Sequence, residues 1–117
     1  MHFAIPDTEE IKGGEDQKPF TVYNIHINGA FHSSLRYRQL FRLHEQLKKD
    51  LSEFTQLPPF PPKKIFSLSS QEKEERRVQL ERYIQRISQV SSRALSRNSN
   101  PKRFENESLI QTVVSFN

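Results

Sequence analysis

Between Phe20 and Leu51 the hydrophobic period of the chain changes once, and that change orders its elements. Phe20-Thr21-Val22-Tyr23-Asn24-Ile25-His26-Ile27 is rich in β-branched and aromatic residues and predicts a strand. Asn28-Gly29 follows. Both residues tolerate positive φ, which a type I′ hairpin turn requires. Ala30-Phe31-His32-Ser33-Ser34-Leu35 is therefore the return strand. From Tyr37 onward Leu40, Leu43, Leu47 and Leu51 recur at helical spacing, with Phe41 widening the stripe. Arg42, Glu45, Lys48 and Lys49 fall mostly outside it, and the helix is expected to end at Leu51 or Phe54.

Residues 57–64 break the pattern. The Pro58-Pro59-Phe60-Pro61-Pro62 run cannot be helical and predicts polyproline II or a turn. Ser69 with Glu72 three residues later fits a capping box. The helix it opens carries Leu80, Ile84 and Ile87 on one face, with Tyr83 beside them. Arg76 lies one turn before Leu80 and is placed to point inward. At the other end, His2 to Ile5 reads as a short edge strand stopped by Pro6, and residues 7–19 as a flexible acidic loop. From Ser88 to Arg103 the chain is rich in Ser, Arg and Asn and predicts disorder. Leu109 to Phe116 has the pattern of a late strand or short helix without a partner. The residues alone thus predict an α+β fold: a three-stranded antiparallel sheet packed on a helical part that contains a polyproline loop.

Composition narrows the function classes. With 117 residues there is room for one domain. A net charge of +4 favours an acidic partner without choosing between membrane and nucleic acid. The absence of cysteine excludes disulfides and thiolate metal sites. Met1 to Asp7 is too short an apolar run for a signal peptide, and no stretch approaches the ~18 apolar residues of a membrane span. Membrane contact is expected to be peripheral. Catalytic patterns fail: His44-Glu45 opens a zinc-protease-like motif, but Lys48 stands where the second histidine is needed. His26 and His32 are poorly placed to share a metal. No enzyme activity, cofactor or metal is expected.

What remains is a basic and aromatic set. Arg36 falls where the hairpin hands over to the helix, and N–H groups of a first helical turn add anion affinity. Its planar fork of donors suits a phosphomonoester, and Tyr37 offers a ring face. The stiff proline run presents Lys63 or Lys64 at a fixed place. Two other uses compete. Pro58, Pro61 and Lys63 form a P-x-x-P-x-K ligand for a Src-homology-3 domain. The basic stretch from Arg93 to Arg103 would suit nucleic acid, although a solvated segment is the simpler reading.

The ordered set Arg36-Tyr37-x-x-Leu40, a proline loop ending in Lys63-Lys64, and Arg76 near the next helix start resembles the PX (phox-homology) family. Met1-His2-Phe3, Tyr23-Asn24-Ile25-His26, His44-Glu45-Gln46-Leu47 and Phe60-Pro61-Pro62-Lys63-Lys64 resemble its sorting-nexin subgroup with a FERM-like module. The resemblance implies binding of phosphatidylinositol 3-phosphate and a cytoplasmic protein peripheral on early endosomes, serving protein sorting. By position, it implies Arg36 on the 3-phosphate, Tyr37 against the inositol ring, Lys63 on the 1-phosphate with Lys64 as fallback, and Arg76 on the ring hydroxyls. Ile65, Phe66 and Leu68 would enter the bilayer. The resemblance covers residues 1–90; residues 91–117 match neither the family's closing helix nor a FERM-like module, and read as a divergent, disordered tail of a truncated or alternatively ended form. Cargo-tail binding is then expected only in a longer form, nucleic-acid binding is not expected, and the protein is expected to be a monomer.

Overall fold

Every strand of the sheet pairs with one segment, the β-branched and aromatic run from Phe20 to Ile27. The computed structural model describes residues 2–51, 56–64 and 67–97. Its elements are β1 (Phe3–Ala4), β2 (Thr8–Ile11), β3 (Phe20–Ile27), β4 (Ala30–Arg36), α1 (Tyr37–Leu51) and α2 (Ser70–Arg97). On one edge of β3 lies β4, antiparallel from Val22↔Arg36 to Ile27↔Ala30. The turn between them has Asn28 at φ 52° and Gly29 at φ 84°, the two positive angles that the Asn-Gly pair predicts. His26 stands opposite Phe31, and the register slips beyond Ile25, leaving His32 as the extra residue.

The other edge of β3 is shared. β1 pairs with its end (Phe3↔Ile27, Ala4↔His26) and β2 with its start (Thr8↔Tyr23 to Ile11↔Phe20). Between them Ile5, Pro6 and Asp7 face only Asn24 and Ile25, an insertion of one residue. Pro6 has no N–H to give to a ladder, so the strand breaks there. The expected antiparallel sheet is present, but with four strands rather than three, because the chain pairs again past Pro6 as β2, where the sequence predicts a loop. The acidic residues that suggest a loop are those of an exposed edge: Glu9, Glu10 and Ile11 face solvent while their backbone completes the ladder.

The backbone freed by Pro6 is satisfied by α2. Ile5 N–H donates to Glu81 Oε2 at 2.8 Å, Arg77 Nη1 donates to the Ile5 carbonyl at 2.6 Å, and Gln85 Nε2 donates to the Phe3 carbonyl at 3.0 Å. These bonds hold the helix across the sheet. Under them the core joins Phe3, Ile5, Tyr23, Ile25 and Leu35 from the sheet to Leu40, Leu43 and Leu47 of α1 and Leu80, Tyr83, Ile84 and Ile87 of α2. The helical stripes read from the sequence are the faces that pack, with Leu51's side chain outside the described residues.

At its start α2 has the predicted capping box. Ser69 N–H donates to Glu72 Oε1 at 3.1 Å, and Glu72 N–H donates to Ser69 Oγ at 3.2 Å. Its end differs from expectation: the helix runs on to Arg97 where disorder is predicted from Ser88. Ile87 and Ser88 are both buried, so the core face extends to that point. Adding turns to an anchored helix costs little, and polar composition alone does not stop it. The stretches 98–103 and 109–116 lie outside the described residues. Among the described residues, no helix is long and apolar enough to cross a membrane.

Candidate anion-binding site

Where β4 passes into α1 the chain turns without a spacer: β4 ends at Arg36 and α1 begins at Tyr37. Arg36 thereby occupies the cap of α1. Its N–H is taken by Gln39 Oε1 at 2.8 Å, the return half of a capping box. The other half is missing, because a guanidinium has only donors and cannot accept from the first-turn N–H groups. The first turn also carries no acidic residue. The helix start is thus left electropositive.

A cavity of about 250 Å³ opens in front of it. Arg36, Tyr37, Arg38 and Arg76 line it, with Phe20, Thr21 and Tyr23 from the sheet and Leu68 from the loop before α2. Among the described residues, no carboxylate lines it. Each of two guanidiniums rests on a ring: Arg36 lies 4.0 Å from the Phe20 centroid and Arg76 4.1 Å from that of Tyr37. Arg76 also donates to the Pro62 carbonyl at 3.1 Å, while Tyr37 Oη donates to the Pro61 carbonyl at 2.5 Å. The proline loop is therefore pinned by the same two side chains that line the cavity.

The electrostatics are those of a cluster of like charges. Burial and then the neighbouring Arg38 charge pull Arg36 down from the usual guanidinium range. An anion between the two arginines would offset both effects by its opposite charge. Burial raises Tyr37 and Tyr23, and in both cases Arg76 partly opposes the rise. Among the described residues, the ion pairs use Lys64, Lys73 and Arg77, not Arg36, Arg38 or Arg76. Glu10 stands nearby but is committed to Thr21 and Lys73.

Of the residues singled out in the sequence, Arg36, Tyr37 and Arg76 meet in this cavity. Lys63 is exposed and does not line it. Lys64 is paired with Glu72, whose carboxyl is held down to about 2 by that lysine and by Ser69. Leu68 is half-buried on the cavity wall, and Ile65 and Phe66 lie outside the described residues. Phe20, Thr21, Tyr23 and Arg38 also line the cavity and are not among the residues singled out in the sequence; Arg38 is the cation of that group. Its signal is slight: a first-turn cation two positions after Arg36, in a helix start without acids. Pro61, needed by the Src-homology-3 motif, is buried, and its carbonyl is in use.

A family model described as PX domain matches residues 23–107. Sorting nexin-17 of Homo sapiens is 51% identical over 89 residues, covering 76% of this chain and 19% of that protein. Sorting nexin-31 of Mus musculus is 38% identical over 90 residues, covering 74% of this chain and 19% of that protein. The X-ray structure of a designed CISK-PX domain is similar with a TM-score of 0.64 and 32% identity, covering 91% of this chain and 99% of that one. The mouse SNX19 PX domain with bound sulphate ion shares the fold at a TM-score of 0.53 and 23% identity, covering 100% of this chain and 97% of that one. The chain spans about a fifth of the length of the curated relatives it matches.

Proposed function

Because the chain belongs to the PX domain family and is related to the sorting nexins, we propose that it is a phosphoinositide-binding module that recruits its protein to endosomal membranes through phosphatidylinositol 3-phosphate. The observation that carries this reading is the cavity lined by Arg36, Arg38 and Arg76 with no carboxylate among its described lining residues. A phosphate on an inositol ring is a dianion with several acceptor oxygens, and guanidiniums match it with paired donors.

In this reading Arg36 holds the 3-phosphate at the start of α1, with Arg38 as a second cation beside it. Arg76 donates to the ring hydroxyls from its perch on Tyr37, and Tyr37 bounds the slot that the inositol enters. Lys63 reaches the 1-phosphate from the rim; the commitment of Lys64 to Glu72 supports Lys63 over Lys64 for that role. Ile65 and Phe66 add bilayer contact, each worth about 1.5–3 kcal/mol when fully buried. With charge-assisted bonds to the head group, less the cost of ordering, a micromolar affinity of about −8 kcal/mol is reachable. The module acts as a monomer on early endosomes in protein sorting.

The test is sedimentation with liposomes that carry phosphatidylinositol 3-phosphate. Arg36→Gln should abolish binding and leave the circular dichroism spectrum unchanged. Undiminished binding by a folded Arg36→Gln protein would overturn the site.

A further inference from the structure

A second cleft, of about 490 Å³, lies between the proline loop and α2 and shares no lining residue with the first. Its floor is aromatic: Phe60 meets Tyr83 edge to face, centroids 4.9 Å apart at 87°. Pro58 and Pro62 stand on one side, and Arg82 and Arg86, one turn apart on α2, on the other. Both arginines are exposed. Neither has an ion pair or a hydrogen bond to the protein among the described residues. Nearby acids of α2 are engaged elsewhere: Glu81 with Ile5 and Arg77, Glu74 with Arg77, and Glu75 with Gln71.

We propose that this cleft docks an acidic peptide segment of a partner protein. One apolar side chain of the segment enters the Phe60–Tyr83 floor, and its carboxylates meet Arg82 and Arg86. Charge complementarity selects the occupant, since two guanidiniums without an ion pair among the described residues border an apolar slot, and Glu74 and Glu75 approach Arg82 only from the side away from it. The proline wall has few N–H groups to offer, so recognition is through side chains rather than added strand pairing. The wall is also pre-ordered, because the carbonyls of Pro61 and Pro62 are held by Tyr37 and Arg76. Little ordering cost remains for the ligand to meet. A lipid head group fits less well. Arg82 and Arg86 stand about 9 and 15 Å farther along α2 than Arg76, the helix residue of the first cavity.

The probe is a phage-displayed library of random heptapeptides, selected on the full chain with soluble inositol 1,3-bisphosphate present. Enriched sequences should combine acidic residues with an aromatic or aliphatic one. The best synthetic peptide should bind at least roughly ten-fold more weakly to Arg82→Glu/Arg86→Glu, and equally well to Arg36→Gln. Arg82→Gln/Arg86→Gln, which adds no charge, should weaken binding too and serves if the double reversal fails to fold. Three results would overturn the proposal: no acidic enrichment, equal binding to the folded double variants, or loss of binding in Arg36→Gln. It also falls if phosphatidylserine vesicles without phosphoinositide bind through Arg82 and Arg86 while no peptide does.

Discussion

Arg76 and Arg77 are neighbours in the chain and serve different ends. Successive helical residues point about 100° apart, so Arg76 reaches the cavity while Arg77 turns to the break after β1 and donates to the Ile5 carbonyl. Arg77 also pairs with Glu74 at 2.5 Å and lies 3.9 Å from Glu81. Arg77→Ala should therefore cost about 1–3 kcal/mol of stability by leaving a carbonyl unpaired. Urea unfolding would measure it, and head-group affinity of the folded fraction should be unchanged. Arg38 makes the opposite case. It anchors nothing in the described fold and lines the cavity. Arg38→Gln should leave the unfolding midpoint in place and weaken liposome binding about ten-fold, the loss of one charge-assisted contact. Loss of stability with unchanged binding would remove Arg38 from the site. Arg36 stands out in the sequence at the strand-to-helix junction, and Arg76 through its place in the ordered basic set one turn before Leu80; Arg38, in the first turn of α1, has the same chemistry without either signal.

The proline loop is held to the helices by an aromatic stack as well as by its carbonyls. Phe60 lies parallel to His44, with centroids 4.9 Å apart at 11°, and His44 Nδ1 is 2.6 Å from Tyr83 Oη. Burial lowers His44 below its ordinary value; Glu45 opposes that and Lys48 adds to it. A histidine whose folded value is depressed stabilises the fold in its neutral form. That contribution is whole above the unfolded value of 6.5 and is lost as pH falls through the lower folded value. The melting temperature should therefore drop as pH falls below about 6.5, and His44→Gln should flatten that slope. An identical slope in the variant would assign the effect to another group. At the element scale the sequence read well wherever a residue type has a local reason. Asn28-Gly29 fixed the turn through positive φ, and Ser69 with Glu72 fixed the start of α2. It read poorly for β2, whose Thr-Glu-Glu-Ile sequence carries no strand pattern and is held by its partner.

At the scale of the whole molecule the question is how the module meets a bilayer. In the proposed function the cavity and the loop before α2 face the membrane together. Leu68 lines the cavity and is half-buried, so it contributes to the slot as well as to any insertion. The pair Phe66→Ser and Leu68→Ser should reduce liposome binding about ten-fold or more, from lost apolar burial. Phe66→Ser alone should spare soluble inositol 1,3-bisphosphate, measured by calorimetry. Equal loss of both ligands in the single variant would make Phe66 part of the fold rather than a membrane contact. The family match runs to residue 107, past the boundary at 90 that the sequence suggests, and α2 already crosses that boundary.

By itself the sequence determined the features that local physics fixes. These are the hairpin, both helix starts, the non-helical proline run, the leucine stripes and the order of the basic residues. Each depends on backbone angles, caps or periodicity within a few residues. Only the tertiary structure decided which cations face one another, because that depends on how β4, α1 and α2 cross. Packing of α2 over the sheet put Arg76 beside Tyr37 and Arg77 on the Ile5 carbonyl, and the turn from β4 to α1 put Arg38 into the cavity with Arg36. The same packing turned an acidic stretch into β2 and left Arg82 and Arg86 along an apolar cleft. These are contacts between residues far apart in the chain, and no local pattern encodes them.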